Sequence, residues 1–281
     1  MPVIETQNET VKSYKGLHLY HFWLSSCSQR VRVVLAEKNL EWVDHPVDIS
    51  PAGMEHATEE YQSINPNGVV PTLVDDGRVI IESIDIIAYL DERFPEPSLL
   101  PENPAMRDEM SRWMKKADES QHSIKTLTHE FLLKSGRMNA EQLEAFLQQH
   151  QNPELCEFMR VFCSEEGIPR AEIESELAIQ HEAFKQLDNV LDGNNWLVGD
   201  SFSLADIAWI PNVRRLQLMG YPLELHPALS AWFARIQKRP SYQLGVSDCE
   251  IKPALEHFAQ YVAEREQGDT GISSYRPLAS G

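Results

Sequence analysis

Ser25, Ser26, Cys27 and Ser28 form a run of small hydroxyl and thiol side chains between an apolar stretch, GLHLYHF, and a segment of helical spacing, QRVRVVLAEKNL. A strand that hands over to a helix leaves unpaired backbone N–H groups and the positive end of the helix dipole at the turn, where an anion is stabilised. A hydroxyl in such a turn can donate a hydrogen bond to a thiolate and lower a thiol pKa from its reference of about 8.5. The same serines could equally serve only as helix N-caps, contributing about 1 kcal/mol. Two further places carry residue types that would hold a peptide-like bearer of that thiol. Val70-Pro71 enters an apolar strand, and a cis bond there would expose the Val70 N–H and C=O to an added strand; a proline that merely ends a loop is the other reading. Glu82-Ser83 opens the next helix, where Ser83 and the first N–H groups suit a carboxylate and Glu82 an ammonium, or where the pair is only a capping arrangement.

The elements that must position these residues follow from periodicity. Val31, Val34 and Leu35 recur at helical spacing after the strand. EWVDHPVDI alternates as a second strand, with Pro46 marking an edge, and AGMEHATEEYQSIN is helical or irregular. VPTLV and RVIIE are strands joined by Asp75-Asp76-Gly77, a hairpin signal. SIDIIAYLDERF reads as a helix closed by Pro95 and Pro97. The order βαβ-α-ββα fills residues 17–97, after an N-terminal extension at 1–16 and before a proline-punctuated linker at 98–104. Beyond it, RDEMSRWMKKADES, AEQLEAFLQQH, ELCEFMRVF, IESELAIQHEAFKQLDNVL, LADIAWIPNVRRLQLM and ALSAWFARIQK all look helical. Residues 105–265 are therefore expected as an all-α bundle followed by a tail at 266–281, of which DTGISSYRPLASG is expected to be loop-like and poorly ordered. The fold class is α/β plus all-α.

Composition narrows the partners. The 281 residues hold 25 Lys and Arg against 43 Asp and Glu, a net charge of −18 that disfavours nucleic acid and anionic membranes. No apolar run approaches the ~20 residues that span a bilayer, and MPVIETQNETVKSYK lacks the apolar core of a signal peptide, so a soluble cytoplasmic protein is expected. Cys27, Cys156, Cys163 and Cys249 are scattered, without a Cys-x-x-Cys pair, and reduced thiols are the default. No metal is expected, because His18 and His21 would point to opposite faces of one strand and no His-Glu-x-x-His occurs.

In order and spacing, SSCSQRVRVVL and NPNGVVPTLVDDGRVIIES resemble cytosolic glutathione transferases. The first is similar to the Ser-Ser-Cys signature of their zeta class, the second to their general glutathione-site pattern, and the likeness spans most of residues 17–262. The resemblance implies a thioredoxin-like first domain followed by a helical bundle, glutathione as co-substrate and a homodimer. It implies Ser25 as the thiolate stabiliser, with Ser26 and Cys27 beside it. Val70, with Pro71, would pair with the cysteinyl backbone, Glu82 and Ser83 would hold the γ-glutamyl end, and His56 would help hold the glycyl end. A small hydrophobic electrophile would meet Phe22, Trp23, Leu24 and the helix bearing Trp113 and Lys116, with Trp113 equally open to a core reading. SFSLADIAW carries the capping box of the family's helical domain at Ser203 and Asp206, a folding signal.

The departures sharpen the expectation. Ser25 stands where omega-type transferases carry their catalytic cysteine, so disulfide exchange is demoted and Cys27 is read as a structural thiol buried in the helix. Cys156 and Cys163 are read as packing residues. Because glutathione is anionic, Arg30, Arg32 or the helix dipole must offset the chain's negative charge locally. An insertion from SGRMNAEQ to RAEIE lengthens the helical domain beyond a zeta enzyme's and resembles bacterial β-etherases and the GDAP-type branch. Three functions are carried forward: conjugation or thiolytic ether cleavage in a detoxification role, zeta-type cis-trans isomerisation, and a non-catalytic binding module.

Overall fold

A computed structural model describes residues 3–278. Five strands form one mixed sheet in the order β1-β5-β4-β2-β3. In chain order the first elements are β1 (Val3–Ile4), α1 (Glu9–Lys12), β2 (Leu17–His21), α2 (Ser26–Glu37), β3 (Val43–Pro46), α3 (Glu59–Gln62), β4 (Thr72–Asp75), β5 (Arg78–Ile80) and α4 (Ser83–Arg93). Strand β2 pairs parallel with β3 through the α2 crossover and antiparallel with β4. The Asp76-Gly77 turn closes the β4–β5 hairpin with Asp75 opposite Arg78, and both turn residues have positive φ, as a two-residue primed turn requires. Val31, Val34 and Leu35 of α2 are fully buried with Leu19, Leu73, Ile86 and Leu90. β3 lies at the sheet edge, as Pro46 implied, but is shorter than the expected strand. The N-terminal extension is structured: β1 adds to β5, and Val11 of α1 is buried.

The remaining elements are helices α5 (Pro104–Glu119), α6 (Gln121–Thr128), α7 (Ala140–Gln149), α8 (Pro153–Cys163), α9 (Arg170–Leu191), α10 (Leu204–Leu218), α11 (Pro227–Ile236), α12 (Pro240–Gly245) and α13 (Lys252–Gln267). A π-helical turn, His129–Leu133, continues α6. Helix α10 is buried on nearly every side from Leu204 to Val213, which makes it the axis of the helical region. Its entry is built by Asp206, whose carboxylate accepts the Ser203 N–H at 3.0 Å, the Leu197 N–H at 3.1 Å and the Trp232 indole N–H at 2.8 Å.

The segment expected as a linker is packed: Leu99 is buried, its N–H meets Asp91 at 2.9 Å, and its carbonyl accepts from Leu204. The tail corrects the expectation of poor order up to Leu278. Ile272 and Tyr275 are buried, and the Arg170 guanidinium lies 4.2 Å over the Tyr275 ring, so apolar burial holds a segment without regular periodicity. Residues 279–281 of that expected tail lie outside the described residues.

Candidate active site

The chain leaves β2 at His21, turns through Phe22 to Ser25 and enters α2 at Ser26, three residues before the expected helix start. Ser25 is the N-cap: its hydroxyl oxygen accepts the Ser28 N–H at 3.1 Å. Ser26 donates to Gln121 Oε1 at 2.7 Å, and the Cys27 thiol faces the same oxygen at 3.7 Å. Ser28 is fully buried behind them. The Ser25 hydroxyl hydrogen has no acceptor among the described residues and is left for a ligand.

These residues line a cavity of about 780 Å³ between the two halves of the chain. Its first half is polar and contains Ser25, Ser26, Cys27, His56, Val70, Pro71, Glu82 and Ser83. The Val70–Pro71 peptide is cis, and neither the N–H nor the C=O of Val70 meets a protein group among the described residues. Tyr61 and Asn65 fix the approach to this turn by donating to the Val69 carbonyl at 2.7 and 2.9 Å. Glu82 has φ of 66°, unusual for a residue with a side chain, and Asn67 Nδ2 donates to its carboxylate at 3.2 Å. Burial and the neighbouring Asp118 raise the Glu82 carboxyl above its usual range, so an ammonium placed there would relieve the repulsion. Ser83 accepts from Arg30 at 3.1 Å and begins α4. His56 is buried with an unpartnered Nδ1, and burial followed by the nearby His150 lowers its pKa to about 4. Its imidazole is neutral near pH 7.

The second half is apolar. Phe22, Trp23 and Leu24 meet Ile124 of α6, Leu132 and Leu133 of the π-helical turn, and Phe258 of α13. The insertion supplies Phe146, Leu155, Met159 and Phe162 as one wall of this half. Its α7 end is fastened to the polar half, since His150 Nε2 meets the Gly68 carbonyl at 3.0 Å and Gln62 donates to the Gln149 carbonyl at 3.2 Å.

Several expectations are corrected. Trp113 and Lys116 lie away from the cavity: the Trp113 carbonyl accepts from Trp209 at 3.1 Å, and Lys116 sits over the Trp113 ring and pairs with Gln186 of α9. The α5 residue on the cavity wall is Asp118, about 200° around the helix from Lys116. Cys27 is half-buried and lines the cavity rather than packing inside the helix. Cys156 is buried and donates to the His150 carbonyl, whereas Cys163 is only partly buried. Arg30 and Arg32 are fully buried and do not line the cavity, although Arg30 reaches Ser83 and Asp118 on its wall. Arg30 bonds the carbonyls of Ala208 and Ala117, Ser83 and Asp118; Arg32 bonds the carbonyls of Gly245, Phe22 and Trp23 together with His21. Each fastens the first half of the chain to the second.

Sequence reasoning missed Gln121, Asn212, His129 and Arg215. Gln121 Nε2 donates to Asn212 Oδ1 at 2.7 Å, which fixes the oxygen that receives Ser26. The signal was present: Asn212 and Arg215 interrupt the apolar pattern of LADIAWIPNVRRLQLM one helical turn apart, on a helix too apolar to be exposed.

Comparison with known proteins now adds to this geometry. Residues 19–98 match the glutathione S-transferase N-terminal domain and residues 150–240 the glutathione S-transferase C-terminal domain. Protein LigF of Sphingobium sp. is 31% identical over 237 residues, covering 80% of this chain and 91% of that protein. This chain belongs to the glutathione S-transferase family. The maleylacetoacetate isomerase of Mus musculus is 28% identical over 214 residues, 75% of this chain and 83% of its own. Among solved structures, the β-etherase LigF superposes with a TM-score of 0.75 at 32% identity, over 82% of this chain and 98% of that one. A glutathione-bound theta-class transferase from Xanthomonas axonopodis pv. citri gives a TM-score of 0.62 at 26% identity, over 83% and 98%. The family's two-part architecture is that of this transferase: a mixed sheet with helices, then a helical region.

Proposed function

We propose that this transferase binds glutathione in the polar half of the cavity, ionises its thiol beside Ser25 and directs the thiolate at an electrophilic carbon of a hydrophobic substrate in the apolar half. The observation that carries the reading is Ser25 itself. Its oxygen is already engaged by the Ser28 N–H while its hydroxyl hydrogen is free on the cavity wall, so it acts toward a ligand as a donor. A donor aimed at a sulfur stabilises the thiolate and not the thiol. The unpaired Val70 peptide suits the cysteinyl backbone as an added strand, Glu82 with Asp118 suits the γ-glutamyl ammonium, and Ser83 at the start of α4 suits its carboxylate. His56, neutral and unpartnered, is assigned to the glycyl end.

Thiolytic cleavage of an ether is favoured within this class by the likeness to LigF over most of both chains and by the long insertion that roofs the apolar half. In that reaction the sulfur forms a bond to carbon as the carbon–oxygen bond breaks, and the oxygen leaves with the electron pair to be protonated. A second reading, reversible thiol addition that isomerises a double bond, is favoured by the likeness to maleylacetoacetate isomerases. Incubation with glutathione and either an aryl ether or a cis-enoic diketo acid, with products resolved by mass, separates them. A thioether with a released phenol supports cleavage, and a rearranged product without net glutathione consumption supports isomerisation. No turnover of either, nor of a general aromatic electrophile, overturns the enzymatic reading. Family membership further supports a homodimer and a cytoplasmic, detoxifying role, the former tested by sedimentation. Among the described residues no helix is long and apolar enough to cross a membrane.

A further inference from the structure

Arg215 stands apart among the buried cations. Arg30 has Asp118 at 3.1 Å, Lys38 has Asp91 at 2.6 Å and Arg265 has Glu130 at 2.8 Å. Among the described residues Arg32 has no carboxylate in contact, but it is surrounded by three carbonyls, the His21 ring and the Cys249 thiol. Arg215 is as deeply buried in α10, yet among the described residues it meets only the Thr128 hydroxyl, at 3.0 Å, and the Leu24 carbonyl. The adjacent Glu250 is taken by Arg214 through two bonds of 2.8 Å. A guanidinium has five N–H donors, and burying it without an anion is among the costliest arrangements a fold can hold. This one lines the cavity together with Ser25 and Cys27, and the carbonyl it holds belongs to the residue immediately before Ser25.

The other charged groups on the wall are the carboxylates Glu82 and Asp118, which also accept from Asn67 and Arg30, and Lys125. Lys125 lies 4.4 Å over the Phe158 ring, in the field of Glu154, Glu172 and Glu176. His56 and His129 are held neutral by burial, and His257 and Cys27 complete the titratable set on the wall. A chain of net charge −18 repels an anionic tripeptide, and neither Arg30 nor Arg32 lines the cavity.

We propose that Arg215 is the counter-charge of the glutathione thiolate, favouring loss of the thiol proton to water while the sulfur keeps its electron pair. This rests on the reading of the cavity as a glutathione site. Ser25 donates the local hydrogen bond, and Arg215 supplies the positive potential from beneath the same turn, which the helix dipole of α2 reinforces.

The test is an ultraviolet pH titration of the thiolate in the protein–glutathione complex, for wild type, Arg215→Gln and Arg215→Lys, with S-methylglutathione binding measured by calorimetry alongside. Because S-methylglutathione has no ionisable thiol, its affinity is expected to stay within about threefold in both variants, while the bound thiol of Arg215→Gln titrates about one unit or more higher, a tenfold loss of thiolate at neutral pH. Arg215→Lys is expected within about half a unit of wild type. An unshifted thiol in an Arg215→Gln protein that binds S-methylglutathione overturns the proposal. If Arg215→Gln loses S-methylglutathione, Arg215→Lys decides: a folded variant whose thiol titrates more than about one unit above wild type overturns it. Absence of glutathione binding by the wild type at millimolar concentration instead overturns the functional reading, and this inference with it.

Discussion

His150 Nε2 lies 3.0 Å from the carbonyl of Gly68, two residues before Val70, and the Asn152 N–H donates to His150 Nδ1 at 3.1 Å. The second bond makes Nδ1 the acceptor, so Nε2 carries the proton and donates to Gly68. The insertion is thereby latched to the turn that presents the Val70 peptide. Gly68, with φ of 59°, permits the approach: a Cβ there would stand 2.8 Å from the imidazole nitrogen. His150→Ala removes this bond and the stacking on Phe146, and is expected to cost about 1–3 kcal/mol of stability. Glutathione affinity should fall about three- to tenfold as the turn loosens, an effect of roughly 1 kcal/mol. Denaturant melts and calorimetry measure the two; unchanged values of both would mean that the insertion only rests on the turn.

Ser25 has two roles that one substitution separates. As N-cap of α2 it contributes about 1 kcal/mol, and Ser25→Ala should lower stability by that amount. As thiol donor its loss should lower kcat/KM with a general electrophile by about a hundred- to a thousandfold, the range for losing one oriented donor. Glutathione binding should change little, because the backbone and carboxylate contacts stay. Stopped-flow turnover beside equilibrium binding distinguishes the roles, and retained turnover in a protein destabilised by 1 kcal/mol or so would leave Ser25 as a cap alone.

Asp206 serves folding and not chemistry. Its carboxylate collects the Ser203 N–H, the Leu197 N–H and the Trp232 indole at 2.8–3.1 Å in a fully buried setting. Asp206→Ala leaves these three donors and the Ser203 hydroxyl without their acceptor, and at ~1–3 kcal/mol each, partly recovered by relaxation, a loss of about 3–5 kcal/mol is expected. Turnover per folded molecule should be unaltered. Urea midpoints check the first statement, and activity normalised to folded fraction the second.

The sequence carried the first half of the molecule in local signals. Ser25 at a strand–helix turn, the Asp76-Gly77 hairpin and the Glu82-Ser83 helix start all depend on residues within a few positions of one another, and each stands where the periodicity implied. The apolar half was less legible because its residues meet only through tertiary packing. Nothing within α5 distinguishes Trp113 from Asp118 as the cavity residue; what decides is how α9 and α10 dock, with Trp209 taking the Trp113 carbonyl. Arg30 and Arg32 misled for a related reason. A charged residue beside a binding turn suggests an anion partner, whereas both are consumed by carbonyls from segments far along the chain, such as Ala208 and Gly245. The tail was misread because Ile272 and Tyr275 are single apolar anchors, too few to make a period.

His129 gives the fold a pH dependence of determinate sign. The partly buried imidazole sits between Phe158 and Phe162, each ring 4.8 Å away, and desolvation there lowers its pKa from 6.5 to about 4. As pH falls the unfolded chain takes up the proton first, so the stability this histidine contributes is full above pH 6.5 or so and is lost on acidification toward about 4. His56, also lowered to about 4, acts in the same direction. Asp206 opposes them: burial raises its carboxyl from 3.8 to about 6, so its contribution is present at low pH and lost as pH rises through about 6. Of these three groups, the two imidazoles outweigh the one carboxyl, and their joint effect is a loss of stability on acidification from neutrality to pH 4.5 or so, each imidazole contributing a few kcal/mol at most. His129→Gln keeps a polar side chain that does not titrate. Its urea-derived stability should therefore fall less than that of wild type between these pH values, by about 1–3 kcal/mol, even if it is lower at pH 7. Parallel pH profiles for the two proteins would show that His129 titrates alike in the folded and unfolded chain.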